Sequence, residues 1–363
     1  MQVASVKQSQ DVWKLTLRNL PNSEFEVDSF YVPFDTSETE TILFRVLCGC
    51  RLVRCLSASV QPDLSVASQD GPLPHSEPSA WAGWIPLLSL VCIVVTFRSR
   101  LAAWAFMWLL ALAVFAGLKW ATWWRIRMVV AHNPWRSAAY LLAWPGMDAE
   151  SFLDSQQPGP RPQPDEWFGA SLKTVAGAVL IWVVARIVPD PIVQGWTGLF
   201  GLILLLHFGS FQLIALFWQS MGIAAKPIMS TPILSKTLSE FWGKRWNLGF
   251  RQLAYDLIFR PLQKRIGVVT ASLLVFLASG LIHDLVISLP ARGGYGLPTA
   301  YFVLQGLGTT LERSNRGRKL GLQHGVAGWV FMLVITAGPA FWLFHPPFLL
   351  RVILPFMQAI HAL

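Results

Sequence analysis

Long uncharged stretches alternate along the chain with short polar segments. Uncharged runs cover Trp81 to Phe97, Leu101 to Leu118, Pro191 to Ala225, Gly293 to Leu311 and Leu320 to Leu350. Another, from Ile266 to His283, continues past Asp284 to Ala291. Thr174 to Pro189 is broken only by Arg186, near its end, where an arginine can snorkel. About 20 apolar residues cross a bilayer as a helix. The pattern therefore predicts an all-α, polytopic membrane protein of about eight transmembrane helices. The run from Pro191 to Ala225 suits either one long tilted helix or a span with a re-entrant piece. Leu320 to Leu350 must turn near His345-Pro346-Pro347, which gives a last span ending at Leu363. Residues 1–79 form a polar extension, expected to be poorly ordered and cytoplasmic, ahead of a multi-span domain over 80–363. Asp11, Lys14, Arg18, Glu24, Glu26 and Asp28 interrupt any apolar core there, so no cleavable signal is expected.

Composition supports the same class. Only 13% of the 363 residues are charged and 53% are hydrophobic, against about 25% charged in an average soluble domain. A soluble enzyme of this length would need a larger charged shell. Residues 1–80 carry six basic against ten acidic residues, a net −4, while the remainder carries 23 against ten, a net +13. The basic excess lies in loops between spans, so no nucleic-acid partner is expected. Eight basic and two acidic residues fall between Lys226 and Arg265, and four basic and one acidic between Glu312 and Lys319. Positive loops stay inside. This places them and the N-terminus in the cytoplasm, in an endoplasmic reticulum or bacterial inner membrane. The C-x-C-x4-C spacing of Cys48, Cys50 and Cys55 lacks a fourth ligand for a tetrahedral ion, and Cys92 lies in a span. No metal site is expected, and nothing in the pattern sets an oligomeric state.

Polar groups inside a membrane are costly and tend to be functional. His207 and His283 lie inside apolar runs. His207, in Leu-Leu-Leu-His-Phe-Gly, has no ionisable neighbour in sequence and suits a structural bond between helices. His283 follows Ala-Ser-Gly-Leu-Ile, so a helix places Ser279 and Phe276 on its face at i−4 and i−7. Gly280 permits close approach of a helix or substrate. Asp284 lies about 100° round that helix and points to a different partner or to a polar cavity.

A second candidate region is Ser235-Lys-Thr-Leu-Ser-Glu-Phe-Trp-Gly-Lys-Arg-Trp-Asn247. Thr237 and Glu240 fit a capping box that starts a helix at about Leu238. Continued forward, that helix carries Phe241, Trp242, Arg245, Trp246 and Gly249 on or near one face, flanked by Lys244, Asn247 and Arg251. It reads as an amphipathic interfacial helix against membrane lipids. Its cations, with Lys236, equally suit a polyanionic adenine nucleotide such as coenzyme A. Charge alone does not separate head-group from nucleotide binding.

At these residues the chain resembles the wax synthase-like branch of the membrane-bound O-acyltransferase family. The resemblance rests on Ser239-Glu-Phe-Trp-Gly-Lys-Arg-Trp-Asn247, followed 36 positions later by His283 in Ser279-Gly-Leu-Ile-His-Asp284. Tyr140-Leu-Leu-Ala-Trp-Pro-Gly-Met-Asp-Ala149 and Phe152-Leu153 are similar to an upstream segment of such proteins. The resemblance covers about 130 to 363. It implies a helical fold around a buried substrate tunnel, with acyl-CoA entering from the cytoplasm as co-substrate and no resident cofactor. It also implies that His283 is the catalytic His and that Asn247 is paired with it functionally. Substrate contacts are then expected from Trp242, Lys244, Arg245, Trp246, Arg251, Ser279 and Asp284.

The expected activity is acyl transfer to a lipophilic alcohol, with ester synthesis of the wax type and His283 as general base. An acetyltransferase acting on a polycyclic alcohol shares the chemistry. A multi-span transporter is the alternative of another class. It would need paired ionisable residues on several helices, whereas only Arg186, His207 and the His283-Asp284 pair qualify.

Overall fold

The computed structural model describes the backbone of residues 2–9, 12–19 and 23–31, and then residues 80–127, 133–155 and 158–363. The chain divides into two units, Met1–His75 and Ser76–Leu363. In the first, β1 (Gln2–Ser9), β2 (Val12–Asn19) and β3 (Ser23–Tyr31) form an antiparallel sheet in that order, with Val6 opposite Leu15 and Leu17 opposite Phe25. The hydrophobic runs predict no element here. The rest of the polar extension, with Cys48, Cys50 and Cys55, lies outside the described residues, as does His132.

Every regular element among the described residues of the second unit is a helix. In chain order it contains α1 (Ala82–Thr96), α2 (Ala103–Ile126), α3 (Pro134–Ala143), α4 (Ala149–Leu153), α5 (Pro164–Ile187) and α6 (Pro191–Ser220). These are followed by α7 (238–245), α8 (248–266), α9 (Val268–Ala291), α10 (Leu297–Arg313), α11 (Asn315–Lys319), α12 (Gly325–Leu343) and α13 (346–359). The helix starts follow local chemistry. Asn133 and Asp190 each accept backbone N–H bonds from the first turn, and Pro134 and Pro191 occupy positions whose N–H would have no helical partner.

Five helices, α2, α5, α6, α9 and α12, are long and apolar enough to cross a membrane. The chain is a multi-pass membrane protein, and the all-α reading of its membrane part holds. The count of eight is not reached on length. At 1.5 Å per residue α1, α10 and α13 run about 22, 26 and 21 Å, short of the roughly 30 Å hydrocarbon core. Leu112, Val183, Phe200 and Val334 are exposed on the spanning helices, as lipid-facing positions should be. The core lies between the helices and includes Ile181, Leu349, Val352 and Met357 in one cluster and Tyr140, Phe152 and Trp218 in another.

Two features position the site. α9 and α10 pack antiparallel at close range, because Gly280 leaves room for α10; a Cβ there would stand 2.7 Å from the Thr299 Cα. The amphipathic helix foreseen from Leu238 through Gly249 is not continuous. Thr237 Oγ1 accepts from the Glu240 N–H at 3.0 Å, while the Glu240 carboxylate reaches the Lys236 N–H at 2.8 Å, so the cap forms as a variant of the expected box. A π-helical turn over Phe241–Arg245 then ends α7, Trp246 is extended, and Asn247 turns left-handed at φ 43°, ψ 60°. α8 starts afresh at Leu248. Asparagine tolerates that conformation better than most residues.

Candidate active site

A cavity of about 260 Å³ opens between α7, α8, α9 and α10. His283 and Asn247 both line it. Along α9 the lining is Ser272, Val275, Phe276, Ser279 and His283, a stripe at helical spacing. Along α10 it is Phe302, Thr309 and Arg313. Because the two helices run antiparallel, His283 and Phe302 sit at one end and Ser272 and Arg313 at the other, about 16 Å away along either helix. One end is an imidazole walled by aromatics; the other carries the exposed guanidinium of Arg313.

The imidazole is oriented by its own helix. His283 Nδ1 lies 2.7 Å from the Ser279 carbonyl oxygen. A carbonyl only accepts, so Nδ1 carries the proton and Nε2 keeps a lone pair. The ring also lies against Phe302, with centroids 4.4 Å apart at 39°. Ser279 was expected beside His283, and it is its backbone carbonyl that bonds the ring.

Asn247 is fixed in the complementary sense. Its Oδ1 accepts the Phe250 N–H at 3.2 Å and caps α8. That donor identifies the oxygen and leaves Nδ2 as the other amide atom. Among the described residues Nδ2 has no partner, so two N–H donors remain available. The left-handed turn is itself held by Leu248 N–H on the Ile228 carbonyl at 2.8 Å and by Asn247 N–H on Met229 Sδ at 3.3 Å. The cavity thus holds one base with a free lone pair and one amide with free donors.

Trp242, Trp246 and Arg251 also line the cavity. Trp242 Nε1 donates to the buried Gln305 at 3.2 Å, and Gln305 in turn donates to the Ile335 carbonyl at 2.8 Å. The indole meets Phe276 edge-on, with centroids 5.9 Å apart. Trp246 stacks on Phe241 at 5.4 Å. At the cationic end Arg313 Nε bonds Ser239 Oγ at 2.9 Å. The neighbouring Glu312 is buried and accepts the Leu238 N–H at 2.5 Å, capping α7 from α10.

Three expected contacts fall elsewhere. Arg245 pairs with Glu240 at 2.7 Å and reaches Thr231 Oγ1 at 3.2 Å, so it braces the loop before α7. The Lys236 N–H and then Arg245 hold the Glu240 carboxyl below the ordinary carboxylate range. Lys244 is exposed and does not line the cavity. The Asp284 carboxylate accepts Ser288 Oγ at 2.9 Å, Gly296 N–H at 2.8 Å and Thr299 N–H at 3.1 Å, together with the Thr299 hydroxyl. It ties the start of α10 to α9, and its side chain is away from the cavity. Arg313, Gln305, Phe302 and Glu312 were not anticipated. The sequence signal for Arg313 is its place in the basic stretch from Glu312 to Lys319. His207 is not in the cavity; its Nδ1 is buried without a partner among the described residues.

Both motif blocks fall within residues 225–304, which match the membrane bound O-acyl transferase family. Among curated proteins, the chain is 34% identical over 149 residues to probable long-chain-alcohol O-fatty-acyltransferase 2 of Arabidopsis thaliana, covering 37% of this chain and 42% of that one. It is 29% identical over 141 residues to the long-chain-alcohol O-fatty-acyltransferase of Simmondsia chinensis, covering 35% and 39%. Acyl-CoA–sterol O-acyltransferase 1 of Arabidopsis thaliana is 26% identical over 133 residues, covering 34% and 39%. The chain thus spans about two fifths of the length of these relatives. The resemblance drawn from the two motifs is met in these comparisons.

Proposed function

We propose that the chain is a membrane-embedded O-acyltransferase that moves an acyl group from acyl-CoA to the hydroxyl of a long-chain, lipophilic alcohol. The observation that carries this reading is the pairing, in one cavity, of His283 with a free Nε2 and Asn247 with free Nδ2 donors. An alcohol is a weak nucleophile at neutral pH, and a positioned base takes its proton as it attacks. His283 Nε2 accepts that proton while the alcohol oxygen bonds to the thioester carbon. The carbonyl oxygen becomes an oxyanion, for which Asn247 Nδ2 is the suited donor. Collapse breaks the C–S bond, and the departing thiolate takes the proton from His283. The products are an ester and free coenzyme A, with no net proton released.

The two ends of the cavity fit the two substrates. Arg251 and Arg313 suit the donor's phosphates, and the aromatic end suits its thioester and an apolar alcohol. In this reading the basic loops and the N-terminus face the cytoplasm, where acyl-CoA is available. Acyl-CoA is a co-substrate, and no resident cofactor takes part. The sterol acyltransferase among the relatives favours a polycyclic alcohol as the second candidate acceptor. Membranes containing the chain, given labelled acyl-CoA and a panel of fatty alcohols and sterols, should yield labelled ester by mass spectrometry. An inactive panel with the chain correctly inserted would overturn the proposal.

A further inference from the structure

The α2 span contains a cation that the proposed chemistry does not use. Lys119 is 1% exposed, and among the described residues no carboxylate pairs with it. Such burial is costly unless the charge finds partners. Its Nζ donates to the Gly146 carbonyl and stands 3.4 Å above the centre of the Tyr140 ring. The Tyr140 hydroxyl is held by Thr122 Oγ1 at 2.7 Å, from the same face of α2. A methionine would fill the same volume without any charge to compensate.

The chain held by Lys119 is the upstream segment singled out from the sequence, Tyr140 to Ala149. Gly146 lies under the Trp144 indole, so tightly that a Cβ there would stand 2.5 Å from Nε1. Its neighbour Met147 is the floor under the first turn of α8: a Cβ on Gly249 would stand 3.1 Å from the Met147 backbone nitrogen. Gly249 is two residues beyond Asn247. Asp148, the next residue, pairs with Lys226 at 2.9 Å. Lys226 opens the strand of loop whose Ile228 carbonyl and Met229 sulfur hold Leu248 and Asn247. The segment 146–148 therefore supports the Asn247 turn from two sides.

We infer that Lys119 is a positioning residue for Asn247, fixing the 146–148 segment on which the Asn247 turn rests. The inference builds on the proposed acyl transfer, in which Asn247 Nδ2 must meet the oxyanion. A displacement of about 1 Å at such a donor can cost roughly 100-fold in rate.

The test uses the full chain in nanodiscs and the variants Lys119→Met and Gly249→Ala, which disturb the segment from opposite sides. Hydrogen–deuterium exchange should rise over residues 244–252 in both, with no change over 197–203 in α6. This readout requires no turnover. With palmitoyl-CoA and a long-chain alcohol, kcat should fall about tenfold or more while KM for the acyl-CoA stays within about twofold. In an Asn247→Ala background, Lys119→Met should add less than about twofold. Unchanged exchange over 244–252, or losses that multiply with Asn247→Ala, would overturn the inference. Wild-type protein that makes no ester would instead overturn the acyltransferase reading, and the exchange data would still decide the Lys119 link. If Lys119→Met does not fold, Lys119→Gln carries the same two readouts.

Discussion

His283 Nδ1 and the Ser279 carbonyl oxygen are 2.7 Å apart, one turn of α9 separating a ring from the backbone that orients it. The contact selects the tautomer with a free Nε2 and leaves the Ser279 hydroxyl out of the ring's fixation. Replacing His283 by Ala or Gln removes the base and keeps the cavity. Ester formation should fall by a factor of about 10² to 10⁴, with insertion and thermal stability near wild type. Activity that survives in both variants would end the assignment of His283 as base.

Asn247 combines two jobs that substitution can separate. Its oxygen caps α8, and its nitrogen is the free donor. Asn247→Asp keeps an acceptor for the Phe250 N–H but has no amide donors. Stability should hold while kcat falls roughly 10²- to 10³-fold. Asn247→Ala should lose the same activity and about 1 kcal/mol of stability as well, the worth of a helix cap. An active Asp variant would leave Asn247 with the cap alone.

The membrane class and both site motifs were legible in the sequence because each depends on local pattern. Runs of about 20 apolar residues signal spans whatever they pack against. His283 stood out as a polar residue inside an apolar run, and Asn247 through the motif that carries the family resemblance. Which cations line the cavity was not legible, since the 3.6-residue period carried Arg245 and Trp246 forward on one continuous helix. The π-turn at Phe241–Arg245 and the left-handed Asn247 reset that phase. Asp284 does point away from His283 to partners of its own, as its place round the helix suggests, but which partners was not legible: its four donors come from Ser288, Gly296 and Thr299, the last two at the start of the next helix. The three N-terminal strands carry a signal of their own in the sequence. Lys14, Thr16 and Arg18 alternate with Trp13, Leu15 and Leu17, and Glu24 and Glu26 flank Phe25 in the same period of two.

Arg251 and Arg313 are the exposed guanidinium groups lining the cavity. Arg313→Glu places a negative charge where phosphate is expected. KM for acyl-CoA should rise roughly tenfold or more, the worth of a charge-assisted bond, with kcat changed far less. Because both groups are exposed, the difference from wild type should shrink in high salt. Lys244→Glu, exposed on α7 and outside the cavity, should leave KM nearly unchanged. Equal effects at positions 244 and 313 would point to general surface attraction rather than a built phosphate site.

Asp284 should behave as a structural anchor. Asp284→Asn keeps the size but turns one acceptor oxygen into a donor group facing other donors. The cost should be about 1–3 kcal/mol, seen as a lower unfolding midpoint. KM for acyl-CoA should not move, because the carboxylate is turned to Ser288, Gly296 and Thr299. A raised KM at unchanged stability would return Asp284 to the substrate.

The far side of that anchor gives a pH dependence. His345 is fully buried; its Nδ1 accepts the Phe348 N–H at 3.3 Å and its Nε2 lies 3.2 Å from Ser288 Oγ. An accepting Nδ1 means the ring is neutral with its proton on Nε2, which donates to Ser288, whose own hydroxyl donates to Asp284. Burial lowers the His345 pKa below the usual histidine value, against an opposing pull from Asp284. A folded-state pKa below the unfolded value of about 6.5 makes the unfolded chain bind the proton first as pH falls. Stability is then complete above about pH 6.5 and declines below it. Protonation would also take the acceptor from Phe348. The unfolding midpoint of wild type should fall more steeply from pH 7.5 to 5.5 than that of His345→Gln, whatever the offset between the two curves. Parallel curves would show that His345 is not the titrating group.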